Sequence, residues 1–221
     1  MKWFIIEIGR CPTLLHGVRH FYSDHMKDVN RGTGLFFLEI FMLKILGVGL
    51  SRTGTRSLAA ALHQLGYKTI HWAPERLRDT VDGRTIYPEV HKYDDVDAVV
   101  DIPAAYFWRE IGHAYKNLKY ILTVRDRESW LASMSKHYNR VKGIDPNLQA
   151  LVYGSTTITP WLYWQRYCDH TNLLMRSLRP EQLLVLNLFQ GGGWPELCGF
   201  LDRPIPETPF PHIRDEDPLI L

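Results

Sequence analysis

A chain of 221 residues is long enough for one α/β domain with a substantial core. Its apolar fraction of 45% and charged fraction of 23% are those of a folded globular protein and exclude a disordered chain. Lys and Arg number 26 against 24 Asp and Glu, so a net charge of +2 gives no case for nucleic acid as a partner. The three cysteines, Cys11, Cys168 and Cys198, form neither a zinc spacing nor a disulfide framework, which suits a reducing, cytoplasmic compartment. The most apolar window, "LFFLEIFMLKILGVGL", carries Glu39 and Lys44 and is too short to span a bilayer.

Residues 1–41 show no clear period. They are read as an N-terminal extension of uncertain status, with the domain proper spanning 42–221 and Met42 directly before its first strand. His16, His20 and His25 lie in that extension, and no carboxylate or cysteine completes a metal site with them. From Leu43 onward, apolar runs alternate with helical patterns. "LKILGVGL" predicts a strand ending in a glycine turn, and "SLAAALHQLG" a helix stopped at Gly66. "KTIHW" and "DAVVDIP" predict the second and third strands. "AAYFWREIGHAYKN" predicts a helix and "KYILTV" the fourth strand. Two further helices are expected in "ESWLASMSKHYNR" and "PWLYWQRYCDHTNLLMRSL", the latter opened by Pro160. Between them, 139–159 reads as a long loop, a candidate lid with acceptor contacts. "QLLVLNL" predicts the fifth strand and "GWPELCGFL" a short final helix. The expected fold is a three-layer α/β/α domain around a parallel sheet of about five strands.

"GVGLSRTGTRSLAAAL", Gly47 to Leu62, has the glycine spacing of a Walker A loop between Gly49 and Gly54, but Thr55 and Arg56 stand where its Lys and Ser or Thr belong. The physics of anion binding survives that loss. Glycines allow backbone N–H groups to converge, and a helix opening near Thr55 adds unpaired N–H groups and the positive end of its dipole. Thr53, Thr55 and Ser57 supply hydroxyls. The cation falls inside the loop, at Arg52.

This pattern, "SRTGTRS", resembles the 5′-phosphosulfate loop of sulfotransferases. A second stretch, "YILTVRDRESWLASM", is similar to the 3′-phosphate element of that family: Arg125 at a strand end, then Ser133 eight residues later. Arg127 stands where family members often have Pro. The end "VLNLFQGGGWPELCGFLDRPIPETPFPHIRD" also looks like the family's glycine–Trp turn and final helix; Arg214 there reads first as an exposed tail cation, and second as a candidate contact for an anionic ligand. The C-terminal Arg-Lys-Gly loop of the hormone- and phenol-sulfating branch has no counterpart. The resemblance implies a P-loop enzyme using 3′-phosphoadenosine 5′-phosphosulfate (PAPS) as co-substrate, with no metal and with a small-molecule, glycan or lipid acceptor. It further implies that Arg52, Thr53, Gly54, Thr55, Arg56, Ser57, Arg125 and Ser133 bind the nucleotide, and that Arg52 also acts in catalysis.

Asp101 ends the strand "DAVV" two residues before Pro103. In cytosolic sulfotransferases a catalytic His occupies a similar place. Three readings stand: a base for the acceptor, with a pKa raised by burial; a Walker B ligand for Mg²⁺; or a cap for a helix starting at Pro103 or Ala104. His71, ending "KTIHW", is the reserve base. The alternatives to a sulfotransferase are a Mg²⁺-dependent small-molecule kinase or NTPase with a modified loop, or a non-catalytic nucleotide-binding protein.

Overall fold

The computed structural model describes residues 43–79, 86–140, 145–214 and 216–218. The expected extension at 1–41, with Met42, Cys11 and its three histidines, lies outside the described residues. In chain order the elements are β1 (Ile45–Gly47), α1 (Thr55–Gln64), β2 (Thr69–His71), β3 (Leu77–Asp79), β4 (Ile86–Pro88), β5 (Ala98–Val100), α2 (Trp108–Ala114), β6 (Lys119–Thr123), α3 (Arg127–Arg140), α4 (Pro146–Tyr153), α5 (Pro160–Ser177), β7 (Leu183–Leu186) and α6 (Trp194–Leu201).

All five expected strands pair in one parallel sheet, in the order β2-β5-β1-β6-β7. Successive strand residues point to opposite faces, and both faces are buried. On one face Leu46, Val99 and Leu122 pack with Trp108 and Ile111 of α2 and Leu174 of α5. On the other, Ile45, Ala98, Val100 and Ile121 pack with Leu58, Ala59 and Leu62 of α1 and Leu197 and Leu201 of α6. The chain leaves β1 for β2 on one side and reaches β6 and β7 on the other, so the crevice at the carboxyl end of β1 is where open α/β sheets bind ligands. No helix among the described residues is long and apolar enough to cross a membrane.

Three expectations change. The helix expected from Ala104 begins at Trp108, and 101–107 form turns. The stretch 139–159 is not a single loop: 145–154 holds α4, whose Leu148, Val152 and Tyr153 are buried. The breakers that suggested a loop are its boundaries. Asp145 caps the helix by accepting from the Asn147 and Leu148 N–H groups, Pro146 opens it, and Gly154 closes it at φ 78°. Finally, β3 and β4 form a small antiparallel ribbon that the sequence pattern did not show.

Candidate active site

The loop after β1 approaches the neighbouring strand closely. A Cβ on Gly49 would stand 1.9 Å from Thr123 Oγ1, at the end of β6. Gly49 is therefore required by contact. Gly54 is required by conformation, with φ 97° at the N-terminus of α1. Thr53 is fully buried and structural: its hydroxyl reaches the Leu50 carbonyl and Thr123 Oγ1, each at 2.6 Å. No side chain caps α1 and its first turn holds no acid, so its leading N–H groups face the crevice as donors.

Arg52 adopts φ 72°, a strained region for a residue with a side chain. Its Nε donates to Ser133 Oγ at 3.0 Å. Arg125 lies just beyond β6. It donates through one Nη to the Arg52 carbonyl at 3.2 Å and through Nε to Ser129 Oγ at 2.9 Å. Ser129 in turn donates to Asp126, so Arg125 and Asp126 are joined through a hydroxyl. The Arg125 guanidinium also stacks 4.1 Å from the Phe189 ring centroid. Burial, and then the neighbouring Arg52, pull the Arg125 pKa below its usual value. The two expected motifs thus meet, and they bring two guanidinium groups together.

Between them runs a cleft of about 470 Å³. Its walls include Arg52, Gly54, Thr55, Arg56, Ser57, Arg125 and Ser133, all but one of the residues expected to bind nucleotide. Thr53 is the exception. Residues the sequence reading did not single out also line it: Ser129, Lys136, Phe189 and His212. Ser129, Ser133 and Lys136 recur at helical spacing along α3, which is the signal that would have found them. Two expected nucleotide contacts are engaged by the chain itself. Arg56 donates to the Arg214 and Asp217 carbonyls, each at 2.6 Å, and Ser57 Oγ accepts from the Ile213 N–H at 3.0 Å.

Asp101 does not line the cleft; it lies one hydrogen bond behind it. Its Oδ1 accepts from the Ser51 hydroxyl and the Ile102 N–H, both at 2.7 Å. Its Oδ2 accepts from Thr55 Oγ1 at 2.8 Å and faces His71 Nε2 at 3.1 Å. The expected helix cap is not formed, because no helix begins at Pro103 or Ala104. The expected rise in pKa is not found either. Burial pushes the pKa up, but His71, the Ser51 hydroxyl and the Ile102 N–H together outweigh it and hold the carboxyl below its ordinary value. Among the described residues no group of three or more His, Cys, Asp or Glu is placed to hold a metal ion.

Arg52, His71, Asp101 and Arg125 therefore stand at the carboxyl ends of four parallel strands, around the crevice of a doubly covered α/β sheet. The chain belongs to the sulfotransferase domain family, whose match covers residues 44–218. It is also similar to "Ava biosynthesis cluster protein M" of Aspergillus versicolor, with 30% identity over 223 aligned positions, covering 79% of this chain and 82% of that protein.

Proposed function

We propose that the protein transfers a sulfuryl group from PAPS to a hydroxyl or amine of a small-molecule acceptor. The observation that carries this reading is the joining of two anion-binding elements in one cleft: the uncapped start of α1 with Arg52, and Arg125 with Ser133. A nucleotide with anionic groups on both the 3′ and the 5′ oxygens of its ribose suits two such neighbouring elements. The cleft volume falls within the range of about 300–1,000 Å³ usual for small-molecule sites. The Aspergillus relative is named for a biosynthesis cluster, which supports a small metabolite as acceptor.

In this reading the acceptor's lone pair attacks sulfur, the S–O bond to the 5′-phosphate breaks, and the bonding pair leaves on the phosphate oxygen. The N–H groups at 54–57 and Arg52 stabilise that growing charge. Arg125 and Ser133 hold the 3′-phosphate. The acceptor's proton goes to the His71–Asp101 pair. A carboxylate with a depressed pKa is a weak base but a good partner for an imidazolium. Because a carboxylate only accepts, the His71 Nε2 facing it carries hydrogen, and Nδ1 keeps the lone pair. Asp101 thus orients His71, which takes the proton.

Isothermal titration of the full chain tests the reading. Adenosine 3′,5′-bisphosphate should bind without metal and more tightly than ATP. Binding of ATP only with Mg²⁺ would point instead to a kinase or NTPase, and binding of neither to a protein without nucleotide chemistry.

A further inference from the structure

The α3 wall of the cleft is built from Ser129, Ala132, Ser133 and Lys136, at positions i, i+3, i+4 and i+7. Three of the four carry a polar donor, and the fourth is small and leaves space between them. The cations around this wall are not in equivalent states. Arg125 donates to Ser129 and to the Arg52 carbonyl. Arg56 donates to two carbonyls of the C-terminal segment. Lys136 is exposed, and no hydrogen bond or ion pair joins it to another described residue.

We propose that Lys136 is the second cation for the ligand's 3′-phosphate and sets the preference for a nucleotide phosphorylated at that position. The inference rests on the sulfotransferase reading and names a residue of the same site. A phosphate monoester carries a charge of about −1.5 to −2 at neutral pH, and Arg125 supplies one positive charge through a fork already partly engaged. Lys136 lies one turn beyond Ser133 on the same face, and its long flexible stem lets the ammonium close onto an oxygen that Arg125 leaves unmatched. The arrangement gives the 3′ end two cations and at least one hydroxyl, all on α3 or immediately before it.

The test compares adenosine 3′,5′-bisphosphate with adenosine 5′-monophosphate, by titration calorimetry on the full chain. Lys136→Ala should weaken bisphosphate binding about tenfold and leave the monophosphate within about twofold, since only one ligand carries the group it contacts. Lys136→Arg should restore most of the affinity. Arg127→Ala, which removes an exposed cation outside the cleft, should change neither. Equal loss for both ligands in Lys136→Ala, or no loss for either, overturns the proposal. If the unsubstituted chain does not prefer the bisphosphate, the 3′-phosphate reading itself falls, and Lys136 falls with it.

Discussion

The Tyr167 hydroxyl closes on both polar backbone groups of Arg125, accepting from its N–H at 2.8 Å and donating to its carbonyl at 3.1 Å. A helix on the far side of the chain thereby fixes the backbone from which the Arg125 guanidinium is aimed. The aromatic run "WLYWQRY" at the start of α5 supplies through Tyr167 a support for the cleft. Tyr167 also packs against Trp130, whose indole N–H donates to the Ser51 carbonyl at 3.0 Å. One aromatic cluster thus braces both the loop after β1 and the turn at Arg125.

Tyr167→Phe should leave the ring packed and remove the hydroxyl. The Arg125 backbone groups then lose their partner, at a cost of about 1–3 kcal/mol. We expect a lower urea midpoint with unchanged m-value, and weaker binding of adenosine 3′,5′-bisphosphate. Unchanged stability and affinity would mean that Arg125 is held by its side-chain contacts alone.

Gly49→Ala tests the close approach of β1's loop to β6. The new methyl would overlap Thr123 Oγ1 and also meet Thr53 Oγ1 at 2.8 Å. Overpacking of this kind costs about 1–3 kcal/mol. Adding Thr123→Ala should recover part of that loss in chemical denaturation.

Asp101 should make stability depend on acid. Its folded pKa lies below the ordinary 3.8, so its contribution is complete above about that pH and is lost as pH falls through the lower folded value. Asp101→Asn should therefore be less stable than the unsubstituted chain at pH 7, and the gap should narrow below pH 3.8. A gap that stays constant with pH would show that the charge itself contributes nothing.

His170 acts in the same direction at higher pH. Burial holds its pKa below the usual 6.5, while its Nε2 lies 2.7 Å from the Val48 carbonyl. The unfolded chain takes up a proton near pH 6.5 and the folded chain resists it, so stability is complete above that pH and falls as pH drops. His170→Gln should flatten the pH dependence of the denaturation midpoint just below 6.5.

Arg56→Ala should release the segment at 213–217, because its guanidinium holds two of that segment's carbonyls. Limited trypsin digestion should then cut after Arg214 faster than in the unsubstituted chain. Equal rates would assign the segment's order to the Ser57 contact and the Arg214 N–H to Asp217 bond, at 2.6 Å.

The sheet was legible because its strands are buried on both faces and stand as apolar runs between helical patterns. The ribbon of β3 and β4 was not, since each strand has three residues and one includes a proline. Helix α4 was hidden by its own cap signals: Asp145, Pro146 and Gly154 read equally well as turn residues when only eight residues lie inside them. The loop and Arg125–Ser133 motifs pointed to one cleft, and the structure brings them to it. What local spacing could not give was the state of each group. Both Asp101 oxygens are engaged because Ser51, Thr55 and His71 arrive from elsewhere in the chain, and against burial His71 and Ser51, with the local Ile102 N–H, hold its pKa down.

The two bonds that brace the cleft, Trp130 to Ser51 and Tyr167 to Arg125, join residues 79 and 42 positions apart. Each requires a large loop of chain to close before the bond is gained, and every pairing in the five-stranded sheet is a parallel, non-local one. Neither half of the chain contains the cleft: a nascent polypeptide that has emerged only through α3 has the loop after β1 and Arg125 but lacks the Tyr167 hydroxyl that holds the Arg125 backbone. The cleft is therefore complete only when the last third of the chain has docked, so any ligand it takes would report completed folding.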